Sequence, residues 1–285
     1  LVNSEQWYLG FTLILQKIHH ALNNLHQKTF LIFHYMNPHD EILSLFDKKQ
    51  TLQRLKDNGL NVARTLPAYK NFNFLIEGML LERCYKVFVK LRFGSSASGV
   101  AALQFSPKAH KFVLTTSIEV DKKELSTQYF NSLKLRTYTK YSEVFDIINY
   151  LLSQPVVIES WIPKAVHQNK CYDLRVVTIE GDPRFVVVRQ SNSPITNLHL
   201  GNQRAMLENL DLSCRQIEKI YEQAALAACT FDRVTTIGWD VLLTQKNKTP
   251  YIIEGNAFGD LLPGLKNKTG DTYDNQVSAW LRKLS

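Results

Sequence analysis

Strand-forming runs in this 285-residue chain follow one another without the regular strand-helix alternation of a parallel sheet. Residues 85–91, 99–105 and 112–120 are three such runs in succession. Residues 174–180 and 184–189 flank Gly181-Asp182-Pro183, a hairpin signal. Residues 236–243 and 251–254 flank a turn from Gln245 to Pro250. Residues 29–33 (TFLIF) and the β-branched run 156–161 read as further short strands.

Helices are expected between these runs. Trp7, Phe11, Ile14, Ile18, Leu22 and Leu25 keep a three-four spacing, with Asn3 or Ser4 as cap. Residues 47–58 read as a helix that stops at Gly59. Ser142 caps a helix carrying Val144, Ile148 and Leu151, and Ser213 with Gln216 forms a capping box for a helix through Ala228. A last helix covers 273–284. This mix of hairpins and helices predicts an α+β fold with mainly antiparallel sheets.

Lys and Arg number 34 against 26 Asp and Glu, a net charge of +8. That balance suits a phosphate ligand, an anionic surface or nucleic acid. The positive residues are dispersed and no aromatic-basic RNA module is present, which argues against nucleic acid. Cys84, Cys171, Cys214 and Cys229 form no C-x-x-C pair and read as reduced thiols of a cytoplasmic protein. No apolar run approaches the ~20 residues of a membrane helix, and Glu5 stands where a signal peptide would be basic. The first residue is Leu1, not Met, as in a piece of a longer chain. The eight histidines show no zinc pattern, and His19-His20 reads as surface.

Three stretches carry chemistry. In the first, a strand ends in Lys90 and leads into Gly94-Ser95-Ser96-Ala97-Ser98-Gly99, small residues whose backbone N–H groups can approach an anion. It is neither a Walker A loop nor G-x-G-x-x-G; the plain alternative is a Gly/Ser turn beside a surface lysine. In the second, Asp240 and Glu254 fall on two adjacent strands, with Asn256 two residues on, on the face of Glu254. Hard oxygen ligands of this kind suit Mg²⁺ shared with phosphates; solvated acids of an edge hairpin are the alternative. In the third, a strand leaves its sheet at Pro163 after Glu159-Ser160-Trp161-Ile162 and offers unpaired backbone groups to a base edge. Asp173 and Arg175 follow on one strand face, Arg189 on the paired strand, and Asn197 in the loop beyond. A structural ion pair of either arginine with Asp173 or Glu180 is the competing account.

In this order the stretches resemble the ATP-grasp superfamily, most closely its glutathione-synthetase and RimK-like branch. The resemblance covers residues 47–285. The segment from Asn256 through Gly264 and the run Gly270-Asp271-Thr272-Tyr273 also resemble an ATP-grasp subfamily of unassigned substrate from bacterial biosynthetic gene clusters. The resemblance implies an ATP-grasp fold, two α/β lobes gripping ATP, with lobe one at about 47–158 and lobe two at about 159–285. Residues 1–46 would be a remnant of, or substitute for, a domain that usually precedes the grasp.

The resemblance also implies roles. Lys90 and Lys48 would hold phosphates, and Gly94, Ser95, Ser96, Ser98 and Gly99 would close over them. Glu159, Trp161 and Ile162 would line the adenine site, and Asp173 the ribose side. Arg175, Arg189 and Asn197 would face the transferred phosphoryl group. Asp240, Glu254 and Asn256 would bind Mg²⁺, or Mn²⁺ in its place. Asp260 and His199 would meet the substrate, Asp260 orienting a cationic amine; a buried turn around Leu261 and Leu262 is the alternative for that segment. The implied activity is an ATP-dependent carboxylate-amine or carboxylate-thiol ligase that forms an acyl phosphate and releases ADP and phosphate. Its rivals are an ATP-grasp kinase of a hydroxyl group and a non-catalytic nucleotide-binding protein. The implied partners are ATP, a carboxylate and a nucleophile, with no membrane.

Overall fold

The computed structural model describes residues 3–123, 126–257, 262 and 264–284. Three helices come first: α1 (Ser4–Thr29), α2 (His39–Phe46) and α3 (Lys48–Asp57). Then follow β1 (Thr65–Leu66), α4 (Phe72–Leu81), β2 (Lys86–Leu91), β3 (Val100–Ser106), β4 (Lys111–Lys123), β5 (Ser126–Tyr138), α5 (Tyr141–Leu152) and β6 (Val156–Ser160). The rest comprises β7 (Val166–His167), β8 (Lys170–Ile179), β9 (Asp182–Ser191), β10 (Gln203–Ala205), α6 (Cys214–Cys229), β11 (Thr236–Leu243) and β12 (Pro250–Asn256). A small ribbon of β13 (Lys266–Asn267) and β14 (Gly270–Asp271) leads into α7 (Thr272–Leu284).

Two antiparallel sheets result. The first runs β1-β6-β2-β3-β4-β5, the second β10-β9-β8-β11-β12 with β7 beside β8. The helices α4 and α5 cover the first sheet: Phe72, Leu75, Met79, Ile147 and Ile148 pack on Val87, Val89, Leu103 and Leu114. Each such fully buried side chain contributes about 1.5–3 kcal/mol. In the second lobe Ile220, Ala224 and Ala227 of α6 pack with Trp239, Val176 and Ile252. Leu45 and Leu55, from α2 and α3, join that same core. Leu55 and Leu60, from the stretch grouped with the first lobe from sequence, thus pack in the second core. Ala279 of α7 packs with Val177, Ile179, Phe185 and Leu262 in a separate cluster.

Local sequence explains most boundaries. Asn3 caps α1 by accepting from Gln6 N, and both halves of the Ser213/Gln216 capping box are formed. Asp47 caps α3 through Lys49 N and Gln50 N. Other expectations need correction. The run 29–33 is not a strand: Thr29 ends α1, Phe30 turns into the left-handed region at φ 57°, and Phe30, Leu31 and Ile32 are exposed with no strand beside them. Ser142 lies inside α5; Lys140 precedes that helix without a side-chain cap. The β8–β9 turn is Glu180-Gly181, both at positive φ (52° and 83°), the two-residue turn that matches strand twist. Pro183 belongs to β9 at a register shift, where a missing N–H is tolerated. The helices α2 and α4 and the strand β5 carry no clear sequence signature. The sequence of α4, FNFLIEGMLL, is apolar almost all round, and β5 is largely exposed and polar. His19 is half-buried, not surface: its ring stacks on His39 and its Nδ1 lies 3.1 Å from Tyr35 Oη.

Candidate functional site

Polar side chains of both sheets meet in the cleft between the lobes. Two adjoining chambers share Lys48, Gly94, Ser95, Arg189, Asp240 and Glu254 in their walls. The first also has apolar walls from Ala63, Phe88, Val100, Ile162 and Leu242. The second is bounded by Arg175, Leu198, His199, Asn256 and Phe46.

From the first sheet comes Lys90, next to last in β2, whose Nζ donates to Glu159 Oε2 at 2.7 Å. Both residues are buried, and Glu159 Oε1 has no hydrogen-bond partner among the described residues. The Gly/Ser loop follows at once. Ser96, Ala97 and Gly99 all take positive φ (52°, 59° and 63°). Ser117 Oγ donates to Ala97 O and ties the loop to β4. Trp161 turns its ring to Phe88, 5.1 Å between centroids, and to Lys86 Nζ; it forms no part of the cleft wall, whereas Ile162 does.

The second sheet supplies an ion-pair chain. Asp173 and Arg189 are cross-strand partners, and Arg189 Nε donates to Asp173 Oδ1 at 2.8 Å. Arg189 Nη2 reaches Asp240 Oδ2 at 2.9 Å, and Arg175 Nε donates to Asp240 Oδ1 at 2.6 Å. Asp240 stands opposite Arg175 on one side and Glu254 on the other. Burial alone would push the Asp173 carboxyl up, but the charges of Arg189 and Lys164 outweigh it and hold it far below the usual range. Burial likewise opposes ionisation of Asp240, and Arg175 and Arg189 reverse the sign. Arg189 itself, penalised by burial, is raised by Asp173 and Asp240.

Lys48, the first residue of α3, links the two sides. Its Nζ donates to Gly94 O and to Glu254 Oε1 at 2.8 Å. Beside it Arg92 grips Asp47 through two hydrogen bonds, so the end of β2 is fastened to the start of α3. Asn256 donates its Nδ2 to Gly238 O at 3.1 Å. Asn197 accepts from His199 N. Asp260 lies outside the described residues; nearby Leu262 is fully buried.

Two cleft residues escaped the sequence reading. Lys164 Nζ donates to Asp173 Oδ2 at 2.8 Å and to Thr196 Oγ1 at 2.6 Å, and Thr196 also donates to Asp173. The one available signal was the position of Lys164 directly after Pro163, where the chain leaves the first sheet. The cleft thus gathers five cations, Lys48, Lys90, Lys164, Arg175 and Arg189, against four carboxylates, Glu159, Asp173, Asp240 and Glu254. Among the described residues no group of three His, Cys, Asp or Glu side chains is placed to hold a metal unaided, and no helix is long and apolar enough to cross a membrane.

No family model and no curated protein matches this sequence. Solved structures do match its fold. The D-cycloserine synthetase DcsG aligns with a TM-score of 0.61 at 11% identity, over 98% of this chain and 80% of that one. The ADP complex of purK, an N5-carboxyaminoimidazole ribonucleotide synthetase, gives 0.58 at 13% identity, over 86% and 53%. The ATP-grasp ligase PsnB, complexed with a phosphomimetic precursor variant, Mg and ADP, gives 0.50 at 14%, over 86% and 61%. The chain spans only about three fifths of the length of PsnB and half that of purK. Its fold is the ATP-grasp fold, α+β with two lobes built on antiparallel sheets.

Proposed function

We propose that this chain is an ATP-dependent ligase that activates a carboxylate as an acyl phosphate. The observation that carries the reading is the convergence of five cations from both lobes on one cleft, beside a loop of small residues at positive φ. The first chamber would take the nucleotide. Its apolar walls suit a purine ring, and Glu159 Oε1, buried without a partner, is an acceptor for an exocyclic amine. Lys90 and Lys48 would meet the phosphates, with Gly94, Ser95, Ser96, Ser98 and Gly99 covering them. Asp173, with Lys164 and Thr196 on it, would lie at the ribose side.

The four carboxylates already balance most of the cationic charge, so a triphosphate would arrive with its own charge largely uncompensated. That need fits divalent cations. Glu254 has one oxygen on Lys48, whereas both oxygens of Asp240 are taken by arginines. The donor set of Asp240, Glu254 and Asn256 therefore fits Mg²⁺ held jointly with phosphate oxygens, and not a site closed by protein alone. Bound there, the metal would supply charge neutralisation for phosphoryl transfer. Arg175, Arg189 and Asn197 border the second chamber and would orient the carboxylate and stabilise charge on the transferring phosphoryl group. ADP leaves; a nucleophile entering past His199 displaces phosphate from the acyl carbon. Positioning and electrostatics suffice, as is general for phosphoryl transfer.

Calorimetric titration of the chain with ATP and ADP, with and without Mg²⁺, tests the nucleotide reading. Absence of Mg²⁺-dependent binding would overturn it. Incubation with ATP and mixed carboxylates, amines and thiols tests the reaction: a ligase yields phosphate with a new amide or thioester bond, whereas a stable phosphorylated product would identify a kinase.

A further inference from the structure

The longest helix of the molecule is only partly used by its own body. Tyr8 stacks on Phe93, and Phe11 packs against Phe46, so one side of α1 is fastened to the second lobe and the end of β2. A neighbouring stripe is only partly used: Ile14, Ile18 and Leu25 are 57%, 49% and 41% exposed, and Trp7, whose ring also packs on Phe11 and Phe46, is 49% exposed. The 26 residues of α1 span about 39 Å at 1.5 Å per residue. An apolar stripe of that length in water is the mark of an interface.

The spacing on the stripe says what covers it. Trp7, Ile14 and Ala21 recur every seven residues, and so do Phe11, Ile18 and Leu25. This is a two-series heptad seam, the pattern of a helix that pairs with another helix. The seam is also its own mirror in reverse. Laid antiparallel on a copy of itself, Trp7 meets Leu25, Phe11 meets Ala21 and Ile14 meets Ile18. Every layer sets a large side chain against a smaller or equal one, and each layer occurs twice about a two-fold axis, as an isologous interface requires. Charge agrees. The only acid of α1 is Glu5 near its start, and Lys28 lies near its end, so antiparallel pairing brings them together at both ends. Parallel pairing would stack Lys28 on Lys28. Beyond the helix, Phe30, Leu31 and Ile32 are exposed by 84%, 56% and 72%. With on the order of 100 Å² uncovered on each of its four large residues, the stripe offers about half of the roughly 800 Å² per partner of a standard interface, the size of a weak, reversible dimer contact.

We propose that α1 is a dimerisation helix, pairing antiparallel with α1 of a second copy of this chain around the Ile14–Ile18 layers. Sedimentation equilibrium of the full chain is expected to show a dimer. Ile14→Glu with Ile18→Glu places like charges in both central layers and should weaken association at least tenfold. Ile14→Glu with Ile18→Lys places opposite charges in the same layers and should recover most of it, because only the antiparallel register brings residue 14 to residue 18. Cooperative thermal unfolding of each variant checks the fold. Disulfide trapping repeats the test with small side chains: chains carrying Ile14→Cys, mixed with chains carrying Ile18→Cys, all with Cys214→Ser and Cys229→Ser, should form the mixed disulfide. A wild-type chain that stays monomeric, whether because α1 is covered by a different protein or by nothing, would overturn the proposal. So would a dimer that survives the double glutamate variant, or disulfides that form only between identical chains.

Discussion

Arg189 offers the sharpest test of the electrostatic account. It is 3% exposed and bridges two buried carboxylates, Asp173 and Asp240. In Arg189→Leu, Asp173 keeps Lys164 and Asp240 keeps Arg175, so neither acid is left wholly alone. The expected loss is therefore near the lower end of the range for breaking a buried pair, about 3 kcal/mol. With a urea slope of about 3 kcal/mol per molar, the unfolding midpoint should fall by about 1 M. The deficit should also depend on pH. The folded-state pKa of Asp173 is depressed, so its contribution to wild-type stability is fully present above the ordinary aspartate value, near ~3.9, and is lost as pH falls through the lower folded value. Removing Arg189 moves that window upward. Wild type and variant should differ fully at neutral pH and converge as the pH drops below about 4. Urea titrations at several pH values measure both effects. A midpoint shift under about 0.3 M at neutral pH, or a deficit independent of pH, would refute the claim that Arg189 neutralises buried charge.

Glu254→Gln should abolish Mg²⁺-dependent turnover at a stability cost under about 1 kcal/mol, since its side chain is a quarter exposed. Asp240→Asn should lose turnover and about 3 kcal/mol of stability together, because it strips charge from between two buried guanidiniums; melting curves beside phosphate release separate the two. Gly99→Ala should cost more than the roughly 1–2 kcal/mol of a left-handed residue, because its Cβ would lie 2.4 Å from Leu91 Cδ1; denaturant unfolding checks this. Amides of residues 94–99 should gain hydrogen-exchange protection with ATP and Mg²⁺, and equal protection with and without them would count against a phosphate-covering loop.

Much of the architecture was legible because hairpins announce themselves locally. A hairpin that brings the strands of Asp173 and Arg189 together follows from one turn signal, but their direct pairing needs the Glu180-Gly181 turn and the register shift at Val177/Thr178. The pairing of Arg175 with Asp240 has no such signal. It depends on the register between β8 and β11, 65 residues apart, and no local pattern fixes which cation faces which acid. Trp161 shows the same limit: its place after Glu159 suggested the cleft, but packing against Phe88 took the ring elsewhere. Phe30, Leu31 and Ile32 had strand-like composition with no strand edge to receive them. Lys164 and Thr196 are single polar residues without a pattern, visible only once the chain is folded around Asp173.

The path of the chain between the lobes has a constructional consequence. The chain leaves the second lobe just after Val62, which bridges to Ile252, builds the first sheet, and comes back to the second lobe at Pro163, whose O accepts from Gln245 N. Outgoing and returning segments lie side by side: Thr65 pairs with Glu159, and Ser160 N donates to Arg64 O at 2.8 Å. The first lobe is therefore an insertion whose two ends are about one strand spacing apart, some ~4.8 Å. The second lobe, with the side chains of α2 and α3 in its core, contains everything needed to close over that gap with a short linker. The excised segment carries its own sheet and two covering helices. Such a plan lets one module be exchanged, or the chain be cut and rejoined elsewhere, without rethreading the other. Rocking of one lobe against the other would bend this two-strand ribbon, whose returning strand bears Glu159, and would also have to break the ties of Arg92 to Asp47 and of Lys48 to Gly94.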